Sequence, residues 1–264
     1  MASRELLKWV RKLHLKKYRE QESCFVIEGP NLVLEALRSD FQIANVFVIP
    51  EFKTSGRFKQ MEPFFEKRSL PVQQISVPEM KMISETCLPQ GILGVVRKKP
   101  RSFRKHDVSR WTKVILLDHL QEPGNLGTII RAADWFGFQA VLTSEGSVES
   151  TNGKVLRSTA GSYFHLPVFE AISLRGAIKT LLQERFRVFA AQSDGDVIHF
   201  KAQFGEKTAL VIGNERHGVK SDLSGLPVQT VRISRSGRGE SLNAAMAATV
   251  LMDRITFSEA GNGA

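Results

Sequence analysis

The chain has 264 residues, 42% of them apolar, which is enough to build a core in one large or two smaller domains. No apolar run approaches the ~18 residues that a membrane helix needs, and the first residues lack the apolar stretch of a secretory signal. Cys24 and Cys87 are the only cysteines, which excludes a disulfide framework. We therefore expect a globular protein in a reducing, cytoplasmic setting with no membrane partner.

The formal charge of +10 is concentrated in the first part of the chain. Residues 1–112 carry 21 Lys+Arg against 12 Asp+Glu, whereas residues 113–264 carry 16 against 15. A basic excess of this kind indicates a polyanion partner, most often nucleic acid, because neutralised phosphates release counterions. The alternative is a solvated basic face.

The amino-terminal part of the chain alternates predicted helices and strands. It opens with one helix that has an apolar seam at Leu6, Val10 and Leu13 and a basic stripe at Lys8, Lys12 and Lys16. Strands are predicted at 25–29, 45–50, 70–76 and 91–97, and helices at 31–39, around 57–68 and from about 78. We interpret residues 1–98 as a small α/β domain and the charged, proline-bearing residues 99–112 as a linker.

After the linker, short apolar strands again alternate with helices. The predicted strands are 113–118, 140–144, 166–170, 187–191, 209–213 and 230–234. The predicted helices are 126–138, one near 151–160, one near 173–185 and a last helix that runs to about Phe257. Apolar strands separated by helices are typical of a mostly parallel sheet that is covered on both faces. We expect residues 113–264 to form this second α/β domain.

Three polar, glycine-bearing segments follow strands of the second domain: 118–138, 211–219 and 233–248. We call them the first, second and third polar segments. Each carries side chains that a simple turn does not need, and these are Asn125, Arg131, Glu215, Ser241 and Asn243. Ligands gather at the carboxyl ends of parallel strands, so the three segments together indicate one site. Taken singly, each residue has an ordinary structural interpretation, such as Ser241 as the N-cap of the last helix.

The glycine spacing excludes several familiar sites. None of the three segments has the GxGxxG pattern of a dinucleotide fold, and the chain has no GxxxxGK[ST] phosphate loop. There is no G-x-S-x-G elbow and no cluster with zinc-ligand spacing, so we predict no metal.

The three segments, in this order, resemble the signature motifs of the SpoU/TrmH-type RNA ribose 2′-O-methyltransferases of the SPOUT superfamily. EPGNLGTIIRAADWFG resembles the first motif, LVIGNERHGV the second and ISRSGRGESLNAAMAATVLMDRI the third. GKVLRSTAGSYFHLPV (153–168) is also similar to the family, and FVIEGPNLVLEAL resembles its amino-terminal substrate-binding domain. The chain departs from the family pattern at Glu122, where Asp is usual, and at Arg216-His217, where small or acidic residues are commoner.

The resemblance implies a deep trefoil knot in the second domain, a homodimer, and S-adenosyl-L-methionine held in the knotted loops. It implies that Ile212, Gly213, Ile233 and Leu242 bind the cofactor. It also implies catalytic roles for Arg131, Asn125, Glu215, Ser241 and Asn243. A guanidinium normally stays protonated and has no acceptor site, so we favour Arg131 as an anchor for phosphate and alkoxide, with a role as base left open.

The resulting hypothesis is methyl transfer to a ribose 2′-hydroxyl of RNA, with ribosomal RNA favoured over transfer RNA. The amino-terminal domain would supply RNA contacts through the Lys8, Lys12 and Lys16 stripe. Two alternatives remain: the same reaction on transfer RNA, and a catalytically silent RNA-binding assembly factor. A nucleotide-binding oxidoreductase is a remote third class, because the dinucleotide fingerprint is missing.

Overall fold

The structure, a computed structural model, describes residues 2–99, 101–104, 108–214 and 216–258. The chain folds as two compact units. The first unit comprises Met1–Pro100 together with Thr151–His165, and the second comprises Arg101–Ser150 and Leu166–Ala264. No helix in the described ranges has the length and apolar character needed to span a membrane.

The first unit is a mixed sheet with helices around it. Its strands are β1 (Cys24–Glu28), β2 (Ile43–Val48), β3 (Val72–Gln74) and β4 (Ile92–Arg97). Its helices are α1 (Arg4–Lys12), α2 (Lys16–Glu22), α3 (Pro30–Arg38), α4 (Pro50–Lys53), α5 (Gly56–Lys67) and α6 (Val77–Ile83), with α8 (Gly153–Thr159) and a 3-10 turn (Ser162–Phe164) from later in the chain. The strand order is β1-β4-β2-β3, and β4 is antiparallel to both neighbours.

The predicted opening helix is two helices, so its basic stripe is divided. Helix α1 ends at Lys12, and Lys16 begins α2. The buried Arg19 guanidinium donates hydrogen bonds to the backbone carbonyls of Leu13 (3.0 Å) and His14 (2.6 Å). These bonds satisfy carbonyls just after the end of α1, where intrahelical donors run out. Lys8, Lys12 and Lys16 are exposed, but they do not line one helix as predicted.

Residues 151–165 belong to the core of the first unit, although the predicted domain boundary assigns them to the second. Leu156 and Phe164 are buried in the same apolar cluster as Phe25 and Phe41. The Phe164 ring lies 5.2 Å from that of Phe41 in an edge-on arrangement, and Tyr163 lies 5.7 Å from Phe25. Burial of these apolar rings stabilises the segment's position in the first unit.

The second unit is built on a parallel sheet. Its strands are β5 (Lys113–Leu117), β6 (Ala140–Ser144), β7 (Val168–Ile172), β8 (Arg187–Ala191), β9 (Val197–Ile198), β10 (Thr208–Ile212) and β11 (Val228–Arg232). Its helices are α7 (Pro123–Trp135), α9 (Leu174–Gln183) and α10 (Ala244–Phe257). In the described residues the sheet has seven strands in the order β7-β6-β5-β10-β8-β11-β9, and every neighbouring pair is parallel. The predicted parallel α/β fold is confirmed.

The central strands are covered on both faces, which explains their continuous apolar runs. Val114 and Leu116 of β5 face an apolar cluster that includes α9. Helix α10 packs against β10 and against α7. The predicted linker also contributes here: Val108 and Trp111 are buried, and the Phe103 ring lies 6.0 Å from that of Phe169. Residues 101–104 and 108–111 are therefore held by the second unit.

Candidate active site

The three polar segments of the second unit leave the same edge of the parallel sheet. The first follows β5, the second spans the end of β10, and the third follows β11. Because all these strands are parallel, their carboxyl ends lie at one edge, where ligands bind in open α/β sheets. The sheet therefore gathers the predicted site residues at one edge of one unit.

A side-chain hydrogen bond joins the first and third polar segments. Asn243 Nδ2 donates to Asn125 Oδ1 at 2.9 Å, across 118 positions of sequence. Asn125 lies in the first turn of α7 and is 8% exposed. Helix α7 begins at Pro123, three residues earlier than predicted, because Glu122 is its N-cap and accepts a bond from Gly124 N at 3.3 Å. The helix start therefore aims Asn125 at the third segment rather than leaving it in a turn.

Asn243, and not Ser241, is the N-cap of the last helix. Asn243 Oδ1 accepts hydrogen bonds from Ala245 N at 2.9 Å and Met246 N at 3.3 Å. Its amide nitrogen remains available as the donor to Asn125. One side chain thus caps α10 and fixes the start of that helix against α7, whereas Ser241 is exposed. The capping interpretation of Ser241 is wrong.

Substitution at Asn243 separates its two roles. Asn243→Ala removes the cap, and we expect it to lower the free energy of unfolding by about 0.5–2 kcal/mol. Asn243→Ser retains a capping oxygen but is too short to reach Asn125, so its stability should lie within about 0.5 kcal/mol of the wild type. Both variants should lose methyl transfer equally.

Urea unfolding and an activity assay test this pair of variants. Ser241→Ala is the stability control, because that side chain is exposed and caps nothing. Full activity in Asn243→Ser would show that the Asn125 contact is dispensable.

The remaining predicted catalytic residues differ in how far the structure describes them. Arg131 lies in the middle of α7 and is exposed, as expected for a group that meets a polyanionic substrate. Ser241 is exposed and lies two residues before Asn243, the N-cap of α10. Glu215 lies outside the described residues.

The second polar segment folds back tightly on the end of β10. Asn214 and Gly218 exchange backbone hydrogen bonds of 2.8 and 2.9 Å. A Cβ atom at Gly213 would overlap the backbone of Gly218 and Val219. Glycine is therefore required at 213 by the chain's own backbone, in addition to the cofactor-binding role that the resemblance implies.

The other two predicted cofactor residues lie past the end of β11. Ile233 follows β11 directly and is half-buried, and Leu242 is 53% exposed. Strand β8 lies between β10 and β11, so Ala191 and the exposed Gln192, at the carboxyl end of β8, stand between the second and third segments. Neither residue belongs to the three polar segments. The small residues at the end of the strand RVFAA were the signal in the sequence that could have indicated Ala191.

Two further polar residues escaped the sequence analysis. Asp118 and Asn214 are both buried at the carboxyl ends of the neighbouring strands β5 and β10. Asn214 Nδ2 donates to the His119 carbonyl oxygen at 2.8 Å. The signal for Asp118 was a carboxylate directly after the apolar run KVILL.

Within the described part of the chain, the first unit gathers three potential metal ligands. His14, Glu28 and Glu85 each offer one ligand atom, and these atoms lie within 4.8 Å of one another. Protein donors already bind both carboxylates: Glu28 accepts from Ser84 Oγ at 2.5 Å, and Glu85 accepts from Arg157 at 3.1 Å. We interpret the group as a hydrogen-bonded ion-pair network of the first unit.

Comparison with known proteins decides the family. The model of the SpoU rRNA Methylase family matches residues 112–253, more than half of the chain. The chain belongs to the SpoU rRNA methylase family. This match confirms the resemblance to the SpoU/TrmH-type family, and the matched region contains all three polar segments. A second model, the MRM3-like substrate binding domain, matches residues 4–94 of this SpoU-family chain.

Individual relatives of this SpoU-family chain extend over nearly its whole length. It is 32% identical over 251 residues to the 23S rRNA (guanosine(2553)-2′-O)-methyltransferase RlmP of Bacillus subtilis, covering 95% of this chain and 96% of that protein. An AdoMet-bound rRNA methyltransferase from Sinorhizobium meliloti aligns with a TM-score of 0.83 and 25% identity, covering 97% of this chain and 96% of that one. AviRb of Streptomyces viridochromogenes, solved with AdoMet, shares the fold at 22% identity, with a TM-score of 0.83 and coverage of 98% and 99%.

Proposed function

We propose that the protein is an S-adenosyl-L-methionine-dependent RNA methyltransferase that methylates a ribose 2′-hydroxyl of ribosomal RNA. The observation that carries the proposal is the Asn125–Asn243 hydrogen bond, which joins two signature segments at the ligand-binding edge of the sheet. Family membership and the naming of the Bacillus subtilis relative as a 23S rRNA 2′-O-methyltransferase support the choice of reaction.

The residues at the ends of β10 and β11 suit a cofactor with an apolar ring system and polar edges. Ile212 is buried at the end of β10, so it would contribute mainly the position of its backbone. Ile233 is half-buried and Leu242 is an exposed apolar side chain, and the closed turn after Gly213 presents fixed backbone groups. Concave sites with apolar walls and a few placed polar groups are typical of cofactor pockets. When bound, S-adenosylmethionine supplies an electrophilic methyl group on a sulfonium.

The chain's own residues would orient the ribose and stabilise charge on its 2′-oxygen. Asn125 and Asn243 hold the start of α7 against the start of α10. That contact fixes the helix from which Arg131 projects. A guanidinium donates several hydrogen bonds in a planar fork, so Arg131 would bind the neighbouring phosphate and the developing alkoxide. Alignment of the 2′-oxygen with the methyl group would supply much of the rate. Glu215 and the exposed Ser241 remain proposed members of this set.

The first unit would bind the RNA substrate outside the reacting nucleotide. Its match to an MRM3-like substrate binding domain and the basic excess of residues 1–112 support this role. Lys8, Lys12 and Lys16 are exposed, and phosphate contacts of this type set register and affinity. Ribosomal RNA is favoured over transfer RNA, which remains the alternative substrate. An RNA substrate and the two unpaired cysteines of the protein support a cytoplasmic location.

We also propose a knotted second domain and a homodimer. Helix α10 buries its small and apolar positions and leaves a second apolar strip exposed. Met246, Val250 and Phe257 lie at helical spacing on that strip, which also carries the exposed Asp253 between the last two. Trp135, at the end of the adjoining α7, is 84% exposed. An apolar strip of this extent on a folded protein marks an interaction surface, and a second copy of the chain is the partner that the family resemblance implies.

A charge placed in the strip tests the dimer. We expect Val250→Asp to convert a dimer into a monomer and to lower methyl transfer by about 10-fold or more, because a buried unpaired carboxylate costs several kcal/mol. Gln183→Asp, on the exposed side of α9, is the matched control and should remain dimeric. Sedimentation equilibrium with activity measured at each dilution decides the question. A wild-type protein that is monomeric and fully active would contradict the proposal.

The reaction itself is tested with purified protein and labelled S-adenosylmethionine. We expect label to appear on ribose 2′-oxygens of deproteinised ribosomal RNA, and much less on transfer RNA. Calorimetry with S-adenosylmethionine and, separately, NAD distinguishes the oxidoreductase alternative. Tight RNA binding without cofactor binding or label transfer would favour the silent assembly factor instead.

A further inference from the structure

Asp118 has a fully buried carboxylate at the edge of the sheet where the candidate site lies, at the end of a central strand. It follows β5 directly, its relative exposure is 0%, and its backbone N–H continues the ladder by bonding to Ile212 O at 2.8 Å. Its carboxylate accepts four hydrogen bonds from two parts of the chain. Oδ2 accepts from the backbone N–H groups of Lys220 (2.6 Å) and Ser221 (2.7 Å). Oδ1 accepts from Ser221 Oγ (2.9 Å) and from His119 Nδ1 (2.7 Å).

These bonds keep the carboxylate ionised at neutral pH. Burial alone would raise the pKa of Asp118, but the hydrogen bonds from Ser221, His119 and Lys220 outweigh burial and hold the pKa below its usual value. A buried charge is costly unless it is fully hydrogen-bonded. The four short bonds meet that condition, and three of them come from residues 220 and 221 alone.

The bonds from residues 220 and 221 close a loop that begins within the second polar segment and ends just after it. We call residues 213–221 the cofactor loop, on the basis of the proposed function. The turn within it is closed by the Asn214–Gly218 backbone pair. Its start is held by Asn214 Nδ2, which donates to His119 O at 2.8 Å. Its end is held by Asp118. Both anchors are adjacent residues at the end of β5.

The anchoring residues are themselves fixed by the next strand. His119 has a left-handed backbone conformation, with φ of 52°, which is strained for a residue with a side chain. Its N–H donates to Ser144 Oγ, at the end of β6, at 2.8 Å. Residues 118–119 therefore join the carboxyl ends of three adjacent strands, β6, β5 and β10.

We propose that Asp118 is a positioning residue that holds the cofactor loop in its binding-competent shape. The inference rests on the proposed function for the identity of the ligand, but the hydrogen bonds that carry it are independent of that function. The carboxylate of Asp118, at the end of β5, holds the backbone of Lys220 and Ser221, at the end of the cofactor loop. Loss of this carboxylate would therefore free that end of the loop, while Gly213 stays at the end of β10. We expect cofactor affinity to fall much more than the maximal rate.

Asp118→Asn tests the proposal at nearly constant volume. The amide has one acceptor oxygen where the carboxylate has two and it carries no charge, so it cannot accept all four bonds and those that remain are weaker. We expect the dissociation constant and the KM for S-adenosylmethionine to rise by about 10-fold to 100-fold, the range for loss of charge-assisted bonds. With cofactor at saturation, kcat should change less than about threefold. Ser221→Ala, which removes one of the four bonds, should give a smaller rise.

Asp222→Asn is the matched control. Asp222 directly follows the loop residue Ser221 and also accepts local bonds, from Ser224 N (2.9 Å) and Ser224 Oγ (2.6 Å), but it is exposed. We expect that variant to bind the cofactor as the wild type does.

Amide hydrogen exchange without cofactor separates loop loosening from general destabilisation. In Asp118→Asn, exchange should accelerate in residues 213–221 and stay unchanged in β5 and β8. Uniform acceleration through the sheet, or unchanged cofactor affinity in a folded variant, would overturn the proposal. If the wild type binds no S-adenosylmethionine, the proposed function fails, and slow loop exchange that is lost in Asp118→Asn would still support the positioning role.

Discussion

Arg131→Ala should abolish most methyl transfer while leaving the cofactor bound. The residue is exposed on α7 and lies beyond the turn where Asn125 meets Asn243, so its removal changes no described packing. Loss of one preorganised donor to a developing oxyanion lowers kcat by about 100-fold to 1,000-fold. The affinity for S-adenosylmethionine should stay within about twofold, because the interaction is made with the RNA and the reacting oxygen.

Two further variants sharpen the test of Arg131. Arg131→Lys keeps the charge but not the planar fork, and should recover only part of the lost rate. Arg110→Ala removes another exposed arginine of the same unit and controls for general loss of positive charge. Single-turnover methyl transfer measures the chemical step. A near-normal rate in Arg131→Ala would remove this residue from the mechanism.

Gly213→Ala should disrupt the cofactor site through the backbone alone. The added methyl group would overlap the backbone of Gly218 and Val219, so the turn that carries the Asn214–Gly218 pair must move. Overpacking of this kind costs about 1–3 kcal/mol of stability. We expect S-adenosylmethionine affinity to fall by about 10-fold or more, since each lost backbone contact is worth about 1 kcal/mol and the whole turn shifts.

The third polar segment provides the matched control for Gly213. A Cβ atom at Gly237 would meet no heavy atom within 4 Å, so Gly237→Ala should leave stability and cofactor affinity unchanged. Thermal unfolding and calorimetry with S-adenosylmethionine distinguish the two variants. Wild-type affinity in a folded Gly213→Ala protein would contradict a binding role for this turn.

The second sheet could be predicted because its signal is local. KVILL and TALVI are continuous apolar runs, and they form the adjacent parallel strands β5 and β10. Burial on both faces requires such runs, and the intervening helices set the parallel direction. The boundaries of α7 were less accurate, because its start depends on how Glu122 and Pro123 cap the helix rather than on apolar spacing.

Features that depend on distant partners could not be predicted in the same way. The break after α1 depends on the Arg19 side chain folding back on the carbonyls of Leu13 and His14. The place of residues 151–165 in the first unit depends on Phe164 meeting Phe41, 123 positions away. No local pattern records either contact.

Some residues of the candidate site could likewise be predicted from local sequence, and others depend on distant partners. Asn125 and Asn243 were selected as polar side chains in segments that follow strands, and the family resemblance implied catalytic roles for them. The structure brings them into contact. Asp118 was overlooked because a single carboxylate after a strand is ordinarily solvent-exposed. Only the return of Lys220 and Ser221, more than 100 positions later, reveals three of its four bonds.

The most direct test of the central claim is a map of ribose 2′-O-methyl groups in ribosomal and transfer RNA from cells with and without the gene. We expect deletion to remove the methyl group from a defined ribosomal RNA nucleotide. The wild-type gene should restore that group, and the Arg131→Ala gene should not. An unchanged map after deletion would overturn the proposed function, and full restoration by the Arg131→Ala gene would overturn the role of Arg131.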